Sequence, residues 1–378
     1  MKAWLYAVPA WARLTGSPLC AVEQAALCQD AFAGVTVLLN QEGPLTERFE
    51  RLGLEHVLVP VEYHGLRRGG VLHFFRYAPA VVRSRLRYVV ELRRLLKRRP
   101  SVLHVHSRVL CGMYACLAGR LACCPVVLTL HEPPACGRLR AIFDGLWIRW
   151  LVDEVVAASA ATAAEHRHFL GQRDIHVVHY CMMAMPQGVE LSRIGKPVVA
   201  FIGLVARKRY DDFLRACHRL KQDGVEFEAW LVGEWATPQD RAKAEDLIAR
   251  LGLGDVVVNK GLVQEMDALY RAIAVVAAPS EPVEALPRVV MEAMSYGVPV
   301  VATAVNGVPE MVQDGETGFL IPVGNVEALA DRMACLLRDP LLREQMGRAG
   351  LVRAEKLFSP ERYQDEMLMI YRRMLQND

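Results

Sequence analysis

Short apolar runs alternate along the chain with longer stretches whose apolar residues recur every three or four positions. The runs have strand composition, and the longer stretches have helical periodicity. In the first half, the predicted strands are Ala3–Val8, Val35–Leu39, His56–Pro60, Val102–His106, Val126–Leu130 and Glu154–Ala158. The predicted helices are Pro18–Asp30, Leu45–Leu52, Ala80–Arg99, Cys111–Cys123 and Leu139–Val152. This alternation predicts an α/β fold with a doubly wound parallel sheet.

The second half restarts the same alternation after a polar link at Gly188–Pro197, where we place the predicted domain boundary. The predicted strands are Val198–Ile202, Glu228–Val232, Val256–Lys260, Val275–Ala278 and Val298–Thr303. The predicted helices are Tyr210–Lys221, Gln239–Leu251, Met266–Ala272, Pro287–Tyr296 and, at the end of the chain, Pro360–Leu375. Because open sheets bind ligands at the carboxyl ends of their strands, we expect two such domains to face a cleft that holds the substrates.

Composition supports two domains and excludes several classes of function. A chain of 378 residues, 53% of them hydrophobic, is too long for one core. The net charge of +3, from 45 basic and 42 acidic side chains, is too small to indicate a nucleic-acid partner. Neither a Gly-x-Gly-x-x-Gly motif nor a P-loop is present, which argues against a dinucleotide-dependent oxidoreductase and an NTPase.

The cysteines and the N-terminus predict a cytoplasmic protein. The 10 cysteines include no metal-type Cys-x-x-Cys pair, and we expect them to be buried, reduced thiols. Residues 1–8 are too short for a signal peptide and have strand composition. The apolar segment Val109–Leu130 is long enough to span a bilayer, but Pro125 divides it. A buried helix followed by a buried strand is therefore predicted there.

The richest chemistry lies between Pro279 and Thr303, a predicted strand–helix–strand unit. We expect Pro287 at the first helical position, because its missing N–H is not needed there. Glu284 then lies in the loop before the helix, and Glu292 lies near its second turn. A helix N-terminus attracts anions. The pattern predicts a phosphate over Leu286, Pro287, Arg288 and Val289, with a carboxylate on either side for sugar hydroxyls.

At these residues the chain resembles the retaining glycosyltransferases of family four. The matching pattern is Glu284, seven residues, Glu292-Ala293-Met294, Gly297 and Pro299-Val300-Val301-Ala302, and it continues through Asn306–Glu310 and Asp314–Leu320. The resemblance implies the GT-B fold, in which two Rossmann-like domains face a central cleft. It further implies an N-terminal acceptor-binding domain (1–190), a nucleotide-sugar-binding domain (191–359) and a C-terminal helix (360–378) that crosses back to the first domain.

The resemblance also assigns roles to residues at the donor site. In the family, an Arg and a Lys clamp the diphosphate after the first strand of the second domain, and here the candidates are Arg207 and Lys208. Their charges would offset the negative charge on the leaving nucleotide. The loop is shorter than the usual family pattern, so Arg209 is an alternative to Lys208.

The remaining donor contacts implied by the resemblance come from three parts of the second half. Gly233 and Leu262 lie in loops expected to flank the base and the ribose, and Glu292 is expected to hold the ribose hydroxyls. Glu284 would contact the donor sugar or stabilise an oxocarbenium-like centre. Many relatives have Gly where this chain has Pro287, so one backbone N–H is missing at the phosphate.

The first half contributes a glycine and a group of histidines. Gly16 would let the backbone approach a phosphate or the acceptor, although the family's usual Gly-Gly pair is reduced to this one residue. His131 follows a predicted strand where the family has a histidine near the donor sugar. We expect it to hydrogen-bond a sugar hydroxyl and to orient the acceptor. For His104 and His106, site lining and core packing both remain open.

The segment Arg67–Arg99 contains eleven Lys and Arg residues and a single acid, Glu91. A helical projection places Arg83, Arg87, Arg94 and Arg98 on one face and Val82, Val89, Leu92 and Leu96 on the other. This pattern is typical of a surface helix with a solvated basic face. It is equally compatible with peripheral attachment to an anionic inner membrane face, next to a lipid-linked acceptor.

Together with the resemblance, these observations predict a metal-independent transferase that needs no cofactor and moves a sugar from a nucleotide-diphosphate sugar to a hydroxyl of a glycan or lipid-linked acceptor. The resemblance implies retention of configuration and a place in bacterial polysaccharide or glycolipid synthesis. No Asp-x-Asp motif is present, and cationic side chains with a helix terminus can supply the electrostatic stabilisation that a metal would give. The alternatives are a nucleotide-sugar epimerase or phosphorylase on a similar frame, and a catalytically degenerate GT-B scaffold.

Overall fold

The computed structural model describes residues 1–9, 16–43, 45–61, 71–106, 110–134, 137–191, 195–282 and 285–376. The chain forms two compact units. The first unit consists of Met1–Tyr180 together with Tyr363–Asp378, and the second consists of Cys181–Arg362.

The first unit is built on a parallel sheet that has seven strands in the described residues. The strands are β1 (Trp4–Val8), β2 (Gly34–Leu39), β3 (Glu55–Leu58), β4 (Ser101–Val105), β5 (Val126–Leu130), β6 (Glu154–Ala157) and β7 (Ile175–Val177). The helices between them are α1 (Gly16–Leu27), α2 (Leu45–Arg51), α3 (Val71–Leu96), α4 (Leu110–Ala122), α5 (Arg138–Leu151) and α6 (Ala160–Leu170). The strand order is β3-β2-β1-β4-β5-β6-β7.

The second unit contains a parallel sheet of six strands within the same described ranges. These are β8 (Val198–Ile202), β9 (Glu228–Val232), β10 (Val257–Gly261), β11 (Val275–Ala278), β12 (Val300–Thr303) and β13 (Gly318–Ile321), in the order β10-β9-β8-β11-β12-β13. The helices are α7 (Tyr210–Gln222), α8 (Pro238–Arg250), α9 (Met266–Ala272), α10 (Arg288–Ser295), α11 (Val308–Met311), α12 (Val326–Arg338) and α13 (Pro340–Phe358). The last helix is α14 (Pro360–Gln376), whose residues from Tyr363 onward belong to the first unit.

The central strands are continuous apolar runs because helices cover both faces of each sheet. All five residues of β5 are buried, as are all four of β11. In each sheet the strand order reverses beside the first strand, between β1 and β4 and between β8 and β11. The carboxyl ends at such a reversal leave a crevice in which ligands of open α/β sheets bind. In the second unit this position is flanked by the loops that follow β8 and β11.

The α/β class and the two Rossmann-like units are confirmed. The sequence patterns did not predict α6, β7 or any element from α11 to α13. At the start of α6, the Ser159 side chain caps the helix by accepting from the Thr162 N–H. Two helices begin earlier than predicted. The structure starts α1 at Gly16 and α3 at Val71.

The second unit begins at Cys181, seven residues before the predicted link at Gly188–Pro197. The residues after Tyr180 already pack on the second unit. The Met182 N–H donates to the Phe358 carbonyl at 2.9 Å, and Arg271 donates to the carbonyls of Gln187 and Gly188 at 2.8 Å each. These bonds attach Met182, Gln187 and Gly188 to helices α13 and α9 of the second unit.

Helix α3 packs differently from its helical projection. Its packed face carries Val81, Tyr88, Val89, Leu92 and Leu96, all buried. The prediction that Val82 lies on this face is wrong, because its side chain is 55% exposed. The adjacent residue, Val81, is buried in its place.

Two further sequence expectations concern membrane spans and cysteines. Among the described helices, none is long and apolar enough to cross a bilayer, in agreement with the division of the segment 109–130 into α4 and β5. No disulfide joins the cysteines in the described part of the chain. Burial raises the pKa of the Cys28 thiol to about 12. Cys123 and Cys335 are exposed, so the expectation of burial is wrong for these two.

Candidate active site

Lys208 lies across the carboxyl end of β8. The chain leaves β8 through Gly203, with φ of +91°, and then forms a 3₁₀ turn, Ala206–Lys208. The Lys208 ammonium donates to the Ile202 carbonyl at 3.3 Å. A Cβ at position 203 would lie 2.8 Å from the Lys208 Nζ atom, so only glycine leaves space for this arrangement.

Gly233 continues this bare surface at the end of β9. Its φ is +119°, and a Cβ built on it would lie 3.5 Å from the Gly203 Cα atom. The Gly203 N–H donates to the Val232 carbonyl, and the Gly233 N–H to the Gly261 carbonyl, both at 2.8 Å. Beyond β10, the Leu262 side chain is 64% exposed. A glycine therefore stands at the end of each of three adjacent strands, at positions 203, 233 and 261, where it lets a ligand approach the backbone closely.

Arg207 links the loops on either side of the strand-order reversal. Its carbonyl accepts from the Glu281 N–H at 2.9 Å, which ties the loop after β8 to the loop after β11. The Arg207 side chain is exposed. This bond keeps the basic turn next to the start of α10.

Arg209 has a local structural role. It adopts the left-handed conformation, with φ of 60°, and its guanidinium donates to both Asp212 carboxylate oxygens at 2.6 and 3.1 Å. Donation to the Asp212 carboxylate raises the pKa of Arg209. This bidentate pair fixes the turn into α7. Of the two alternatives left open by the sequence, Lys208 is the side chain that lies on the end of β8.

Helix α10 begins one residue later than predicted. Pro287 is its N-cap residue, with φ of −70° and ψ of 119°, and Arg288 is the first helical residue. The extended ψ explains why Pro287 precedes the helix rather than opening it. The first bond inside the helix runs from the Val290 N–H to the Pro287 carbonyl at 3.0 Å. Since the N–H groups before Val290 stay at the helix start, this end attracts anions.

The side chains around that helix start divide into buried and polar ones. Leu286 and Val289 are buried, at 5% and 6% exposure, so these two can reach a ligand only through backbone atoms. Arg288 is partly exposed and reaches back along α10 to Glu292. Glu284, which the resemblance places closest to the donor sugar, lies outside the described residues.

Glu292 is held by two partners in the second unit. Its Oε2 atom accepts from the Tyr270 hydroxyl at 2.8 Å, and its Oε1 atom accepts from the Arg288 Nε at 3.3 Å. Tyr270 is buried and stacks on Tyr296, with ring centroids 5.2 Å apart. Burial, followed by the neighbouring Glu292, raises the pKa of Tyr270 well above its ordinary value, so the hydroxyl remains a donor. A carboxylate offers about four acceptor positions, and these two bonds leave others for a diol.

The first unit brings three histidines together at the carboxyl ends of β4 and β5. His104 is buried, and its two ring nitrogens lie 2.7 Å from the Tyr371 and Thr129 hydroxyls. His106 is also buried, and its ring lies 3.9 Å from that of His104, centroid to centroid. The open question from the sequence is thereby answered, because both His104 and His106 are core residues.

His131 has partners at both ring nitrogens. Its Nε2 atom lies 3.1 Å from the His106 Nδ1 atom, and its Nδ1 atom contacts the Tyr180 hydroxyl. Burial lowers the pKa of His131 to about 3, and burial with the neighbouring His104 and His131 lowers that of His106. Both rings are therefore neutral, and each carries one proton. A sugar hydroxyl would reach a His131 ring nitrogen only by replacing His106 or Tyr180.

We expect the stability of the protein to fall in mild acid because of His104. Burial, followed by the neighbouring His131, lowers its folded pKa to about 3. In the unfolded chain this histidine binds a proton at about pH 6.5, whereas in the folded chain it stays neutral down to about pH 3. The contribution of His104 to the free energy of unfolding is therefore complete above about pH 6.5 and is lost as the pH falls towards 3. Between about pH 7 and about pH 5, this histidine should lower the free energy of unfolding by about 2 kcal/mol.

Urea denaturation at several pH values tests this expectation. His104→Gln should show a smaller loss of stability between neutral and mildly acid pH than the wild-type protein. Thr129→Val is the matched control, because it removes the Nε2 partner of His104 but keeps the titrating ring. Equal pH dependence in the wild-type protein and His104→Gln would show that His104 does not carry the effect.

Two family models match consecutive parts of the chain. The model for glycosyl transferases group 1 matches residues 188–353, and the model for Glycosyltransferase Family 4 matches residues 35–181. Together they cover most of both units. The chain is a family-four glycosyltransferase. It is therefore an enzyme of the GT-B class, as the resemblance implied.

Individual relatives agree with this assignment. The glycosyltransferase is 28% identical to the phosphatidyl-myo-inositol mannosyltransferase of Mycobacterium leprae over 301 residues, which are 77% of this chain and 76% of the relative. It is 35% identical over 171 residues to the D-inositol 3-phosphate glycosyltransferase of Kribbella flavida, a match that spans 42% of this chain and 39% of the relative. Anabaena HepE, solved in complex with UDP-glucose, has the same fold, with a TM-score of 0.80 at 19% identity over 98% of this chain and 99% of HepE.

Sequence reasoning missed two side chains that surround the candidate residues of the glycosyltransferase. Tyr270 contacts Glu292 from 22 positions away, and Tyr180 contacts His131 from 49 positions away. Neither tyrosine belongs to a recognisable motif. Only the fold, which places α9 beside α10 and the end of the first unit beside β5, reveals them.

Proposed function

We propose that this glycosyltransferase moves a sugar from a nucleotide-diphosphate sugar to a hydroxyl group of a glycan or lipid-linked acceptor, with retention of configuration and without a metal ion. One observation carries the proposal. At the strand-order reversal of the second unit, the basic turn with Arg207 and Lys208 is bonded to the loop that leads into α10, the helix that bears Glu292.

This arrangement suits the departure of a nucleoside diphosphate. The leaving group gains negative charge on its phosphate oxygens as the glycosidic bond breaks. Lys208 places its ammonium beside Gly203, Arg207 adds a second cation in the same turn, and the start of α10 adds the positive end of a helix dipole. Fixed charges of this kind stabilise a transition state without reorganising. We propose that they take the place of a metal ion.

The remaining roles follow the order of the elements around the phosphates. We propose that Glu292 accepts hydrogen bonds from the ribose hydroxyls, with Tyr270 and Arg288 holding its carboxylate in position. The backbone near Gly233 and Leu262 would contact the base. Glu284 would lie at the donor sugar. We propose that His131 hydrogen-bonds a sugar hydroxyl after exchanging one of its ring contacts.

The comparisons guide the choice of substrates. The UDP-glucose complex of Anabaena HepE supports a UDP-sugar as the first donor to test. The M. leprae relative is named for a phosphatidyl-inositol acceptor, which supports a lipid-linked acceptor and a place in glycolipid or polysaccharide synthesis. Peripheral attachment to a membrane belongs to the same proposal, since such an acceptor lies at a bilayer surface.

The first experiment is a measurement of nucleotide release from a panel of UDP- and GDP-sugars in the presence of EDTA. We expect slow hydrolysis of one donor by the wild-type enzyme and loss of that hydrolysis in Glu284→Gln. Below saturating donor, Glu292→Gln should hydrolyse it about 10–100-fold more slowly than the wild-type enzyme. With an acceptor added, NMR of the product would give the anomeric configuration. An inverted product would contradict retention, and turnover that needs added metal would contradict metal independence.

The same panel separates the alternatives. An epimerase would convert one nucleotide-sugar into another without releasing the nucleotide. A degenerate scaffold would show neither turnover nor a thermal shift with any nucleotide. Either result would overturn the proposed reaction.

Tyr270→Phe should raise the donor KM about fivefold and leave kcat close to the wild-type value, because it removes one orienting hydrogen bond worth about 1 kcal/mol. Tyr296→Phe is the matched control. Tyr296 stacks on Tyr270, but its hydroxyl bonds to Asp267 instead of Glu292. Steady-state kinetics with both variants provide the test. An equal rise in KM for both variants would indicate that the ring stack matters and the Glu292 contact does not.

A further inference from the structure

The outer face of α5 is apolar. Its residues Leu139, Ile142, Phe143, Leu146 and Trp150 are between 43% and 84% exposed. They recur at intervals of three and four positions and therefore form one continuous row along the helix. We call these five side chains the α5 row.

The face of α5 that packs on the protein combines small, polar and large apolar residues. It consists of Ala141, Asp144, Gly145, Trp147 and Ile148, all buried. Asp144 accepts from the Trp147 Nε1 at 3.1 Å and from the Arg140 Nε at 3.2 Å. At Gly145 the helix approaches α6 so closely that a Cβ would lie 2.5 Å from the Phe169 carbonyl oxygen. The packing of α5 is therefore specific, and its outer face is the one that stays in contact with solvent.

An ordinary surface helix buries its large apolar residues, whereas α5 buries Trp147 and Ile148 and leaves the five of the row exposed. Single exposed apolar residues are common on protein surfaces, but a continuous row of five large ones marks an interaction site. We therefore expect the α5 row to bind a partner surface, and the charges beside the row indicate the charge of that surface.

The charges that flank the row are positive. Arg138 and Arg149 are exposed at its two ends. The one acidic residue of α5, Asp144, is buried and bonded, so it does not offset them. An isologous contact with a second copy would bring these like charges together. An anionic surface complements them.

Helix α3 presents a second face of the same kind. Val82, Leu86 and Val90 are 55%, 60% and 45% exposed, at a spacing of four residues. Exposed arginines at positions 83, 87 and 94 lie beside them. Helix α4 contacts both α3 and α5, so the two apolar and basic faces belong to one layer of helices in the first unit.

We propose that the α5 row inserts into the boundary between headgroups and acyl chains of an anionic lipid bilayer, and that the arginines of α3 and α5 bind the lipid headgroups. Trp150 and Phe143 are the aromatic types that favour this boundary. Apolar insertion combined with basic flanks is the pattern by which amphipathic helices lie on anionic membranes. The enzyme would meet a lipid-linked acceptor at this surface. That link to the acceptor rests on the proposed function, whereas lipid binding itself does not.

Flotation of the full-length protein with vesicles tests the proposal without any turnover. We expect binding to vesicles of phosphatidylcholine mixed with phosphatidylglycerol and little binding to phosphatidylcholine alone. The double variant Leu139→Gln, Trp150→Gln should lower the partition coefficient at least about tenfold, because it removes the two most exposed apolar side chains of the row. Arg83→Gln should lower it about fivefold, and the effect should shrink at high salt.

Matched controls lie on the second unit. Leu341→Gln changes a side chain that is 71% exposed on α13, and Arg250→Gln removes an exposed arginine of α8. Both should bind vesicles like the wild-type protein. Donor hydrolysis and the melting temperature of the α5 variant should be unchanged, which shows that it is folded.

Equal binding by the α5 variant and the wild-type protein, or no binding of the wild-type protein to anionic vesicles, would overturn the inference. A dimer that dissociates in the α5 variant, seen by light scattering in the absence of lipid, would instead assign the row to self-association. Lipid binding without donor turnover would leave the membrane surface established and the proposed reaction refuted. Donor turnover without lipid binding would support the proposed reaction and refute the membrane surface.

Discussion

Lys208→Ala is expected to lower kcat for donor turnover by about 10²–10³-fold, the usual effect of removing one fixed group that stabilises developing charge. The physical reason is the position of the ammonium group. It lies across the end of β8, where Gly203 leaves room for it, next to the loops that meet at the strand-order reversal. A cation there becomes more favourable as the nucleotide departs, so its loss should affect kcat more than KM.

The measurement is steady-state nucleotide release with the donor identified in the panel. Lys221→Ala is the control, since Lys221 is a lysine of the same unit that pairs with Asp255 at 2.6 Å on the surface. It should retain wild-type kinetics. The melting temperature of Lys208→Ala should stay close to that of the wild-type protein, because the bond from Lys208 to the Ile202 carbonyl is long, at 3.3 Å, and therefore weak.

Arg209→Ala separates the two basic residues of the turn. Arg209 donates two hydrogen bonds to Asp212 in a left-handed turn. Its loss should therefore lower the melting temperature and leave kcat close to the wild-type value, the opposite of the result expected for Lys208→Ala. The opposite pattern, with Arg209→Ala inactive and Lys208→Ala active, would assign the phosphate contact to Arg209, the alternative that the shortened loop left open.

The fold could be predicted from the sequence because its strands are short apolar runs bounded by polar turns. Val126–Leu130 and Glu228–Val232 were predicted to the residue. Which face of a helix packs on a sheet was harder to predict. In α5 large apolar residues lie on both faces, with Trp147 and Ile148 buried and five others exposed, and the helix makes its close approach to α6 at Gly145. Hydropathy alone does not distinguish the two faces.

The candidate site was predictable where a motif fixes spacing along the chain, as for Glu292 on α10 and the basic turn after β8. It was not predictable where the partner is distant in sequence. The contact between Tyr270 and Glu292 and the one between Tyr180 and His131 depend on how elements pack, and no periodicity records that. The direct hydrogen bond expected between His131 and a sugar stays a prediction, since both ring nitrogens have partners in the structure.

Glu292→Gln is expected to lower kcat/KM for the donor by about 10–100-fold, mainly through KM, because a hydrogen bond to a charged group contributes about 1.5–3 kcal/mol. The amide keeps one acceptor oxygen for Tyr270 but has a donor NH₂ group in place of the second oxygen. If the amide oxygen accepts from Tyr270, the NH₂ group faces Arg288, which can only donate, so the side chain can keep one of its two present hydrogen bonds and not both. A ribose diol would then find one acceptor oxygen on residue 292 instead of two.

Glu344→Gln provides the control, because Glu344 forms the same kind of i,i+4 pair, with Arg348 at 2.9 Å, on exposed α13. Its kinetics should not change. Nucleotide binding measured by calorimetry with the free nucleoside diphosphate distinguishes the cause, since Glu292→Gln should weaken it by a factor similar to that in KM. If the free nucleotide binds equally well to both proteins while turnover is lost, Glu292 acts on the sugar or the reaction centre, and the ribose contact assigned to it is wrong.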